Sequence, residues 1–391
     1  GRLTETEDGN GNTITQIYAE AGGGCSSCSG GTELPVATVY PTFSREYGYD
    51  KRHRKLQERD ISTETGTLTT SFTYDNAGNL TSKKDKEGKT TTYVYDSLNR
   101  LVKVIDPLNG ETAYTYDNRD NLIALKDAKN QVTTFTYDRN NRLTKERRPL
   151  GQETNYQYDG NGNLIKKTDP LGQRIEYGYD DANRMTAIRH YGSGNTLVKT
   201  VSLTYDNAGN LKTYSDGTTS ATYTYDDAYR KTQETMNFGS FSKTIQYGYN
   251  KNGTKKHFTY PDGTEIGYTY DNNNQPQGMN LPGAGYLTYN GYEWTRPTGI
   301  TLPGGSTRSF TYDPLMRTKT IQAKDPGQNA VQQYSYTYDK MDNITQKNTE
   351  AGNYAYGYDN LYRLNEVNKD SVNTETYTYD PVGNRLTSKT E

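Results

Sequence analysis

The amino-acid sequence predicts an all-β protein in which β-hairpin repeats form one continuous curved sheet. Tyr-Asp pairs recur every 21 residues from Tyr74-Asp75 to Tyr179-Asp180. A fixed period in this range is typical of repeat architectures. Runs of Tyr, Thr and β-branched residues alternate with turn residues, which is the pattern of hairpins. Because strands twist in a right-handed sense, a sheet of this length is expected to curl.

The first strand of each repeat carries tyrosines at alternate positions. In Thr91-Thr92-Tyr93-Val94-Tyr95, both rings project from the same face of the strand. We therefore predict that rings of successive hairpins stack in ladders and hold the sheet together. The aromatic residues assigned to these ladders are Tyr93, Tyr95, Tyr114, Tyr116, Phe135, Tyr137, Tyr156, Tyr158, Tyr177 and Tyr179. Tyr74, Tyr205 and Tyr379 are further structural residues of the repeat.

A turn follows each Tyr-Asp pair, as in Asp96-Ser97-Leu98-Asn99. The first residue is an acceptor for backbone N–H groups, and Gly or Asn at the fourth position tolerates positive φ. Four turns depart from this rule and carry His53, Tyr229, Met316 or Tyr362 at the fourth position. The residues that follow the rule include Asp75, Asp96, Asp117, Asp138, Asp159, Asp180, Asp206 and Asp380, with Gly78, Gly162, Gly209 and Gly383.

The composition favours a sheet that is wet on both faces over a protein with a thick apolar core. The 391 residues include 38 tyrosines and have a net charge of −2. This charge balance gives no electrostatic footprint for nucleic acid, and no polybasic membrane patch. No apolar run approaches the ~20 residues that span a bilayer. The chain begins and ends within a repeat, so we expect it to be a segment of a longer array.

Two regions of the array are predicted. Residues 1–48 are irregular N-terminal repeats with a Gly/Ser-rich loop, and residues 49–391 are a more regular array that continues from them. The loop holds Cys25 and Cys28. A local disulfide is favoured there, while free thiols and a metal or redox role remain open. No cofactor or metal site is predicted.

The segment around Trp294 is the most irregular part of the array. It is rich in Pro and Gly and holds the single tryptophan of the chain. Trp294 is a candidate binding residue, with the alternative that it fills an irregular rim of the sheet. The pair Tyr289-Asn290 nearby is expected to form a turn of the Tyr-Asp type.

The repeated motif resembles the Rhs/YD-repeat family. It recurs at Tyr74-Asp75-Asn76-Ala77-Gly78-Asn79-Leu80 and at Tyr205-Asp206-Asn207-Ala208-Gly209-Asn210-Leu211, and more than a dozen copies cover nearly the whole chain. The family includes bacterial Rhs polymorphic toxins, wall-associated proteins, Tc-toxin C components and teneurins. The resemblance implies a YD-repeat β-spiral that forms a hollow shell or tube. It also implies a secreted or cell-surface location, with enclosure of a toxin or, in teneurins, cell-cell contact.

These patterns favour a structural function. The expected partners are further YD repeats of the same chain or of neighbouring subunits, together with enclosed toxin cargo or surface glycans; nucleic acid and a membrane span are not expected. Carbohydrate binding, cell adhesion and head-to-tail extracellular fibres remain alternatives. Catalysis is disfavoured because His53, His190 and His257 are scattered and lie in no recognisable motif. The D-P-x-G sequences at 169–172 and 380–383 lie in ordinary turns, so self-cleavage is not expected.

Overall fold

A computed structural model describes residues 3–18 and 34–390, except for the side chains of residues 373, 374 and 388–390. Cys25 and Cys28 lie outside the described residues. The described part consists of 35 β-strands in an antiparallel sheet, joined by turns and without a helix. No membrane-spanning helix is found in these ranges. The predicted all-β sheet of hairpin repeats is therefore confirmed.

The strands follow one another with short turns between them. They are β1 (Glu5–Glu7), β2 (Thr13–Tyr18), β3 (Pro35–Val39), β4 (Ser44–Tyr49), β5 (Lys55–Ser62), β6 (Gly66–Tyr74), β7 (Leu80–Lys84), β8 (Thr90–Tyr95), β9 (Leu101–Ile105), β10 (Glu111–Tyr116), β11 (Leu122–Lys126), β12 (Val132–Tyr137), β13 (Leu143–Arg147), β14 (Glu153–Tyr158), β15 (Leu164–Thr168), β16 (Arg174–Tyr179), β17 (Met185–Tyr191), β18 (Leu197–Tyr205), β19 (Leu211–Ser215), β20 (Ser220–Tyr225), β21 (Lys231–Asn237), β22 (Ser242–Tyr249), β23 (Lys255–Thr259), β24 (Glu265–Tyr270), β25 (Pro276–Leu281), β26 (Gly285–Glu293), β27 (Arg296–Thr301), β28 (Thr307–Tyr312), β29 (Thr318–Lys324), β30 (Ala330–Tyr338), β31 (Ile344–Thr349), β32 (Gly352–Tyr358), β33 (Leu364–Lys369), β34 (Val372–Tyr379) and β35 (Arg385–Thr390).

The chain divides into two compact units. Unit 1 comprises residues 1–113, 269–279 and 283–391, and unit 2 comprises residues 114–268 and 280–282. Within each unit, strands that are consecutive in sequence pair antiparallel, as β7 with β8 in unit 1 and β12 with β13 in unit 2. The turns therefore alternate between the two edges of the sheet.

Two kinds of turn result from this alternation. We call a turn from an even-numbered to an odd-numbered strand a YD turn, because it follows the Tyr-Asp pair, and a turn from an odd to an even strand a return turn. The register shifts by one residue at the last tyrosine before a YD turn: Val94 pairs with Lys103, whereas Tyr95 pairs with Leu101. Such a β-bulge fixes the register of the hairpin at its YD end.

Burial in the strands is partial, as expected for a single sheet. Most strand residues are half-buried, and the fully buried apolar residues are few, among them Tyr49, Leu68 and Met316 in unit 1. The order of the fold therefore depends on backbone pairing and on polar contacts at the turns more than on a dry interior. Tyr289 and Asn290 lie inside β26, where Asn290 Nδ2 donates to Thr301 Oγ1 at 3.0 Å, so the expectation of a turn at this pair is wrong.

Candidate functional site

The YD turn is built around its aspartate. Asp96 Oδ1 accepts hydrogen bonds from the backbone N–H groups of Leu98 at 2.9 Å and Arg100 at 3.0 Å. The N–H of Asn99 donates to the Asp96 carbonyl oxygen at 3.0 Å, and Asn99 has φ of 63°. The hydrogen bond from the Arg100 N–H, together with its guanidinium, holds the pKa of the Asp96 carboxyl below its usual value. The carboxylate thus closes the turn as an acceptor of backbone N–H groups.

The same geometry recurs at the other sequence-predicted turn positions. Asp75, Asp117, Asp138, Asp159, Asp180, Asp206 and Asp380 all accept backbone hydrogen bonds at the start of a YD turn, and Gly78, Gly162, Gly209 and Gly383 have positive φ at its fourth position. Tyr74, Tyr95, Tyr116, Tyr137, Tyr158, Tyr179, Tyr205 and Tyr379 end the strands before these turns, and Tyr93 and Tyr114 lie two residues before the strand end.

The last tyrosine of a repeat ties its own hairpin to the preceding one. Its hydroxyl donates to the carbonyl oxygen of the residue that starts the preceding odd-numbered strand, as from Tyr137 to Leu122 at 3.0 Å and from Tyr158 to Leu143 at 2.9 Å. Ring pairs such as Tyr47–Tyr49 and Tyr354–Tyr356 join alternate residues of one strand. In the regular repeats, the tyrosine hydroxyl therefore joins successive hairpins, and stacking of rings between hairpins stays a prediction.

The fifth residue of the YD turn carries a contact that sequence reasoning missed. Arg142 Nε donates to Asp138 Oδ2 at 2.7 Å, Nη1 donates to the Asp159 carbonyl oxygen at 2.9 Å, and the guanidinium lies 4.8 Å from the ring centroid of Tyr158. Each such arginine therefore joins two successive YD turns, and its planar guanidinium also stacks on an aromatic face. The same arrangement occurs at Arg54, Arg184, Arg230, Arg317 and Arg363.

Asparagine takes this fifth position in several other YD turns, as at Asn79, Asn121 and Asn163. Asn163 Nδ2 donates to Asp159 Oδ2 at 2.9 Å and to Asn183 Oδ1 at 2.8 Å in the next YD turn. The signal for this contact was present in the sequence as the recurrent Asn or Arg four residues after the aspartate.

The four turns that depart from the Gly/Asn rule keep its backbone conformation. His53, Tyr229, Met316 and Tyr362 have φ of 63°, 60°, 62° and 62°. A left-handed conformation costs a bulky residue about 1–2 kcal/mol relative to a right-handed one. Met316 is buried and Tyr362 is half-buried, so at these two positions the side chain has contacts that offset the strain.

Unit 1 contains a seam in which return turns within residues 8–89 contact YD turns, and strand residues beside them, within residues 271–363. Lys319 Nζ pairs with Glu64 Oε1 at 2.7 Å across a separation of 255 residues. The Lys340 N–H donates to Glu87 Oε1 at 3.0 Å across 253 residues. Within this unit the chain therefore returns to contact hairpins formed some 250 residues earlier.

The return turn between β7 and β8 makes the densest contacts of the seam. The Tyr362 hydroxyl donates to Asp85 Oδ2 at 2.5 Å, and Lys89 Nζ lies 4.0 Å from the centroid of the Tyr362 ring. Lys89 Nζ also donates to the Asp359 carbonyl oxygen at 3.2 Å. Burial, and then the neighbouring Asp85 carboxylate, raises the pKa of Tyr362, which keeps the phenol protonated as a donor.

The seam begins at the turn between β1 and β2. Asn10 Nδ2 donates to Asp271 Oδ2 at 2.8 Å, and Asn273 Nδ2 donates to Asp8 Oδ2 at 2.9 Å. A Cβ atom on Gly9 would lie 2.2 Å from the Asn272 carbonyl oxygen, so only glycine allows this approach.

Trp294 also lies in the seam. Its ring is 5.8 Å from that of Tyr40, in the return turn between β3 and β4, and its carbonyl oxygen accepts from Gln275 Nε2 at 2.7 Å. Trp294 is half-buried and has φ of 48°. The indole therefore contacts an earlier return turn, in keeping with the rim-filling alternative raised from the sequence.

The buried carboxylate of Asp60 stabilises the return turn between β7 and β8, which is part of the seam. It is 1% exposed and pairs with Arg45 Nε at 2.5 Å and with Lys86 Nζ at 2.7 Å. Burial alone would raise the pKa of the Asp60 carboxyl, but hydrogen bonds from the two cations outweigh it and the pKa is lowered. Because Lys86 belongs to the return turn that contacts Tyr362, this buried carboxylate holds that turn on β4 and β5.

Comparison with known families agrees with this architecture. The sequence model of the teneurin YD-shell matches residues 38–197 and 173–293, which together span more than half of the chain. The chain belongs to the teneurin YD-shell family. A search of curated protein sequences finds no significant match.

Solved structures show the same YD-shell fold. The complex described as TcdB2-TccC3-Cdc42 matches with a TM-score of 0.55 and 14% identity over 97% of this chain. TcdB2-TccC3 without its hypervariable C-terminal region matches with a TM-score of 0.55 and 15% identity over 96% of this chain. The YD-shell chain described here spans about a quarter of each of those chains, at 26%.

Proposed function

We propose that this chain is a wall segment of a secreted or cell-surface YD shell that encloses or displays a cargo such as a toxin. The seam of unit 1 is the observation that carries the proposal. A ribbon of hairpins alone has two open rims, whereas contacts between turns some 253 to 277 residues apart join one winding of the ribbon to the next. Only windings that are joined in this way make a wall.

The chemistry of the wall suits enclosure in water. The YD turns are closed by aspartate carboxylates, and the strands are rich in Thr and Tyr, whose side chains are half-buried. The proposed role is mechanical and needs no catalytic group. Asp60 and the arginines of the YD turns would keep the wall closed.

Small-angle scattering of the full chain tests the wall. A solid globule of 391 residues has a radius of gyration of about 21 Å. A curved wall around solvent should give a clearly larger value, with a distance distribution skewed to long vectors. A radius close to that of a solid globule would contradict the proposal.

Protection of a cargo tests enclosure. An unfolded, protease-sensitive reporter peptide fused to the C terminus of the full chain should be cleaved more slowly than the free peptide. A Tyr362→Gly variant, which weakens the seam, should restore fast cleavage, and Tyr229→Gly in unit 2 serves as the control. Equal cleavage rates in all three fusions would argue against an enclosing role.

Carbohydrate binding or cell adhesion is a second candidate, favoured by a cleft in unit 1. The cleft measures about 460 Å³ and is lined by aromatic, charged and apolar groups, including Tyr336, Tyr338, Arg317, Glu64 and Leu68. Aromatic faces beside hydrogen-bonding groups suit sugar rings. Glycan-array binding that is lost in Tyr336→Ala would support this function, and an array without signal would remove it.

A further inference from the structure

One face of the sheet in unit 2 carries a row of basic side chains. The pairing registers place Lys167 of β15, Ile175 of β16, His190 of β17 and Lys199 of β18 beside one another. Because residues that pair across antiparallel strands point to the same face, the four side chains lie in one line across the sheet. The row thus holds two lysines and a histidine, with one apolar residue between Lys167 and His190.

The opposite face of the same strands has a matching row that includes a counter-charge. There Lys166 pairs with Glu176, and Glu176 pairs with Arg189. A carboxylate therefore occupies the place between the two cations on that face. On the first face Ile175 fills this place, so its two basic neighbours are separated by an apolar side chain.

Two members of the row lack an anionic partner within the described residues. The side chains of Lys167 and His190 are half-buried, and neither forms a hydrogen bond or an ion pair with another residue that the structure describes. Lys167 Nζ lies 5.9 Å from the ring centroid of Tyr156. Lys199 differs, because its Nζ pairs with Asp216 Oδ2 at 2.7 Å. A half-buried donor without a partner gains most from an anion that is brought to it.

A cleft of about 650 Å³ opens along this row. Val198 and Val201 give it apolar walls, and Tyr191 adds an aromatic one. The guanidinium of Arg174 stacks on the Tyr191 ring at 3.7 Å from the centroid, and its Nε pairs with Glu176 Oε1 at 2.8 Å. Clefts of this size that combine apolar walls with a few convergent polar groups are typical of small-molecule sites.

Asp169 contributes a carboxylate to the lining of the cleft, and its own turn satisfies this group. Asp169 Oδ1 accepts the backbone N–H groups of Leu171 at 2.9 Å and Gln173 at 2.8 Å. It closes the return turn between β15 and β16 as the aspartates close the YD turns. The groups that await a partner in the cleft are therefore donors, those of Lys167 and His190.

We propose that this cleft binds a small molecule that carries an oxyanion on an apolar body. The oxyanion lies over Ile175 and accepts from Lys167 Nζ and from the imidazole of His190. The apolar body packs against Val198 and Val201. Carboxylate and phosphate groups share this chemistry, and the test distinguishes them. The site lies within unit 2 and does not require the proposed wall function.

Calorimetric titration of the full chain with benzoate and with phenyl phosphate tests the site. Benzyl alcohol is the neutral match of both acids. At least one acid should saturate the chain at millimolar concentration, and benzyl alcohol should bind about tenfold more weakly or worse, because it offers no charged acceptor. The acid that binds more tightly identifies the oxyanion.

Variants with matched controls locate the contact. Lys167→Met and His190→Phe each remove a donor with little change in shape, and each should weaken binding of the acid about tenfold. Lys166→Met and Arg189→Met change the neighbouring residues of the same strands, whose side chains point to the opposite face, and should leave binding intact. Circular dichroism checks that all four variants fold.

A tethered anion gives a second test. Ile175→Glu places a carboxylate between the two donors, as Glu176 does on the opposite face, and should abolish binding of the acid. Hydrogen exchange provides a readout on the unaltered chain, because the acid should slow exchange in β15 to β18 and not in β10 to β12.

Three results would overturn the proposal. Neither acid could saturate the chain, or benzyl alcohol could bind as tightly as the acids. Lys166→Met could also weaken binding as much as Lys167→Met, which would mean that general charge and not the cleft attracts the acid. None of these results bears on the scattering radius or on reporter protection, so a failed binding test is distinct from a failed wall.

Discussion

Replacing Tyr362 by glycine should open the seam of unit 1, whereas the same change at Tyr229 should not. The two tyrosines occupy the fourth position of a YD turn with nearly equal φ, 62° and 60°. Tyr362 contacts Asp85 and Lys89 across the seam, while Tyr229 is 65% exposed in unit 2. Comparing the two variants therefore separates the loss of the seam contacts from the change in backbone strain.

The expected magnitudes follow from the geometry. Glycine removes about 1–2 kcal/mol of left-handed strain at either site. It also adds about 0.5–1 kcal/mol of unfolded-chain entropy, so Tyr229→Gly should be neutral or stabilise by up to about 1 kcal/mol. At Tyr362 the change also removes a hydrogen bond to a carboxylate, worth about 1.5–3 kcal/mol, and a cation–π contact, worth about 0.5–2 kcal/mol. Because the backbone effects cancel in the comparison, the two variants should differ by about 3 kcal/mol.

Hydrogen exchange monitored by mass spectrometry is the appropriate assay, because a long repeat array need not unfold in a single transition. Peptides that cover residues 80–95 and 355–370 should lose protection in Tyr362→Gly and keep it in Tyr229→Gly. The ratio of exchange rates between variant and wild type in these peptides gives the corresponding change in the free energy of local opening. Equal loss of protection in both variants, or none in Tyr362→Gly, would refute the account of the seam.

Three further results are expected. Arg317→Lys should destabilise by about 2 kcal/mol in urea, because an ammonium cannot reproduce the contacts of the guanidinium with two YD turns, and Arg142→Lys, at a more exposed copy of the motif, by about 1 kcal/mol. Asp60→Asn should cost about 3 kcal/mol at pH 7, because it leaves the half-buried cations of Arg45 and Lys86 without their buried carboxylate partner. Since the pKa of Asp60 is lowered by folding, this contribution exists above pH 4 and is lost as the pH falls further, so the variant should show a weaker acid dependence than wild type. Burial raises the pKa of Tyr292 to about 12, so the unfolded chain loses this proton first and stability should fall from pH 10 upwards; an equally steep fall in a Tyr292→Phe variant would contradict this.

The local fold was predictable because its determinants are close together in sequence. Alternating tyrosines define strands, and an aspartate with Gly or Asn three residues later defines the YD turn, so β8, its turn and β9 follow from residues 90–105 alone. The fifth residue was overlooked although its signal was equally local. From the sequence alone, Arg142 would be interpreted as a solvated cation. The structure shows that it joins two repeats, because its guanidinium donates to the Asp159 carbonyl oxygen in the next YD turn.

The seam was not predictable by the same reasoning. Glu64 and Lys319 are ordinary exposed charges in the sequence, and their pairing depends on how far the chain advances in one winding. That advance is the sum of small twists over many hairpins, so a slight error in each one would select a different partner. No local pattern fixes a contact across 255 residues.

Two of the four departures from the turn rule coincide with buried or half-buried side chains in unit 1. A turn of this shape is cheapest with glycine or asparagine at its fourth position, so a bulky residue there is strained wherever it occurs. Strain of this kind persists when a contact of the side chain offsets it, and Met316 and Tyr362 both have such contacts in unit 1. His53 and Tyr229 have the same conformation although their side chains are exposed, so a bulky fourth residue alone does not identify a covered turn; the contacts of Met316 and Tyr362 have to be seen in the structure.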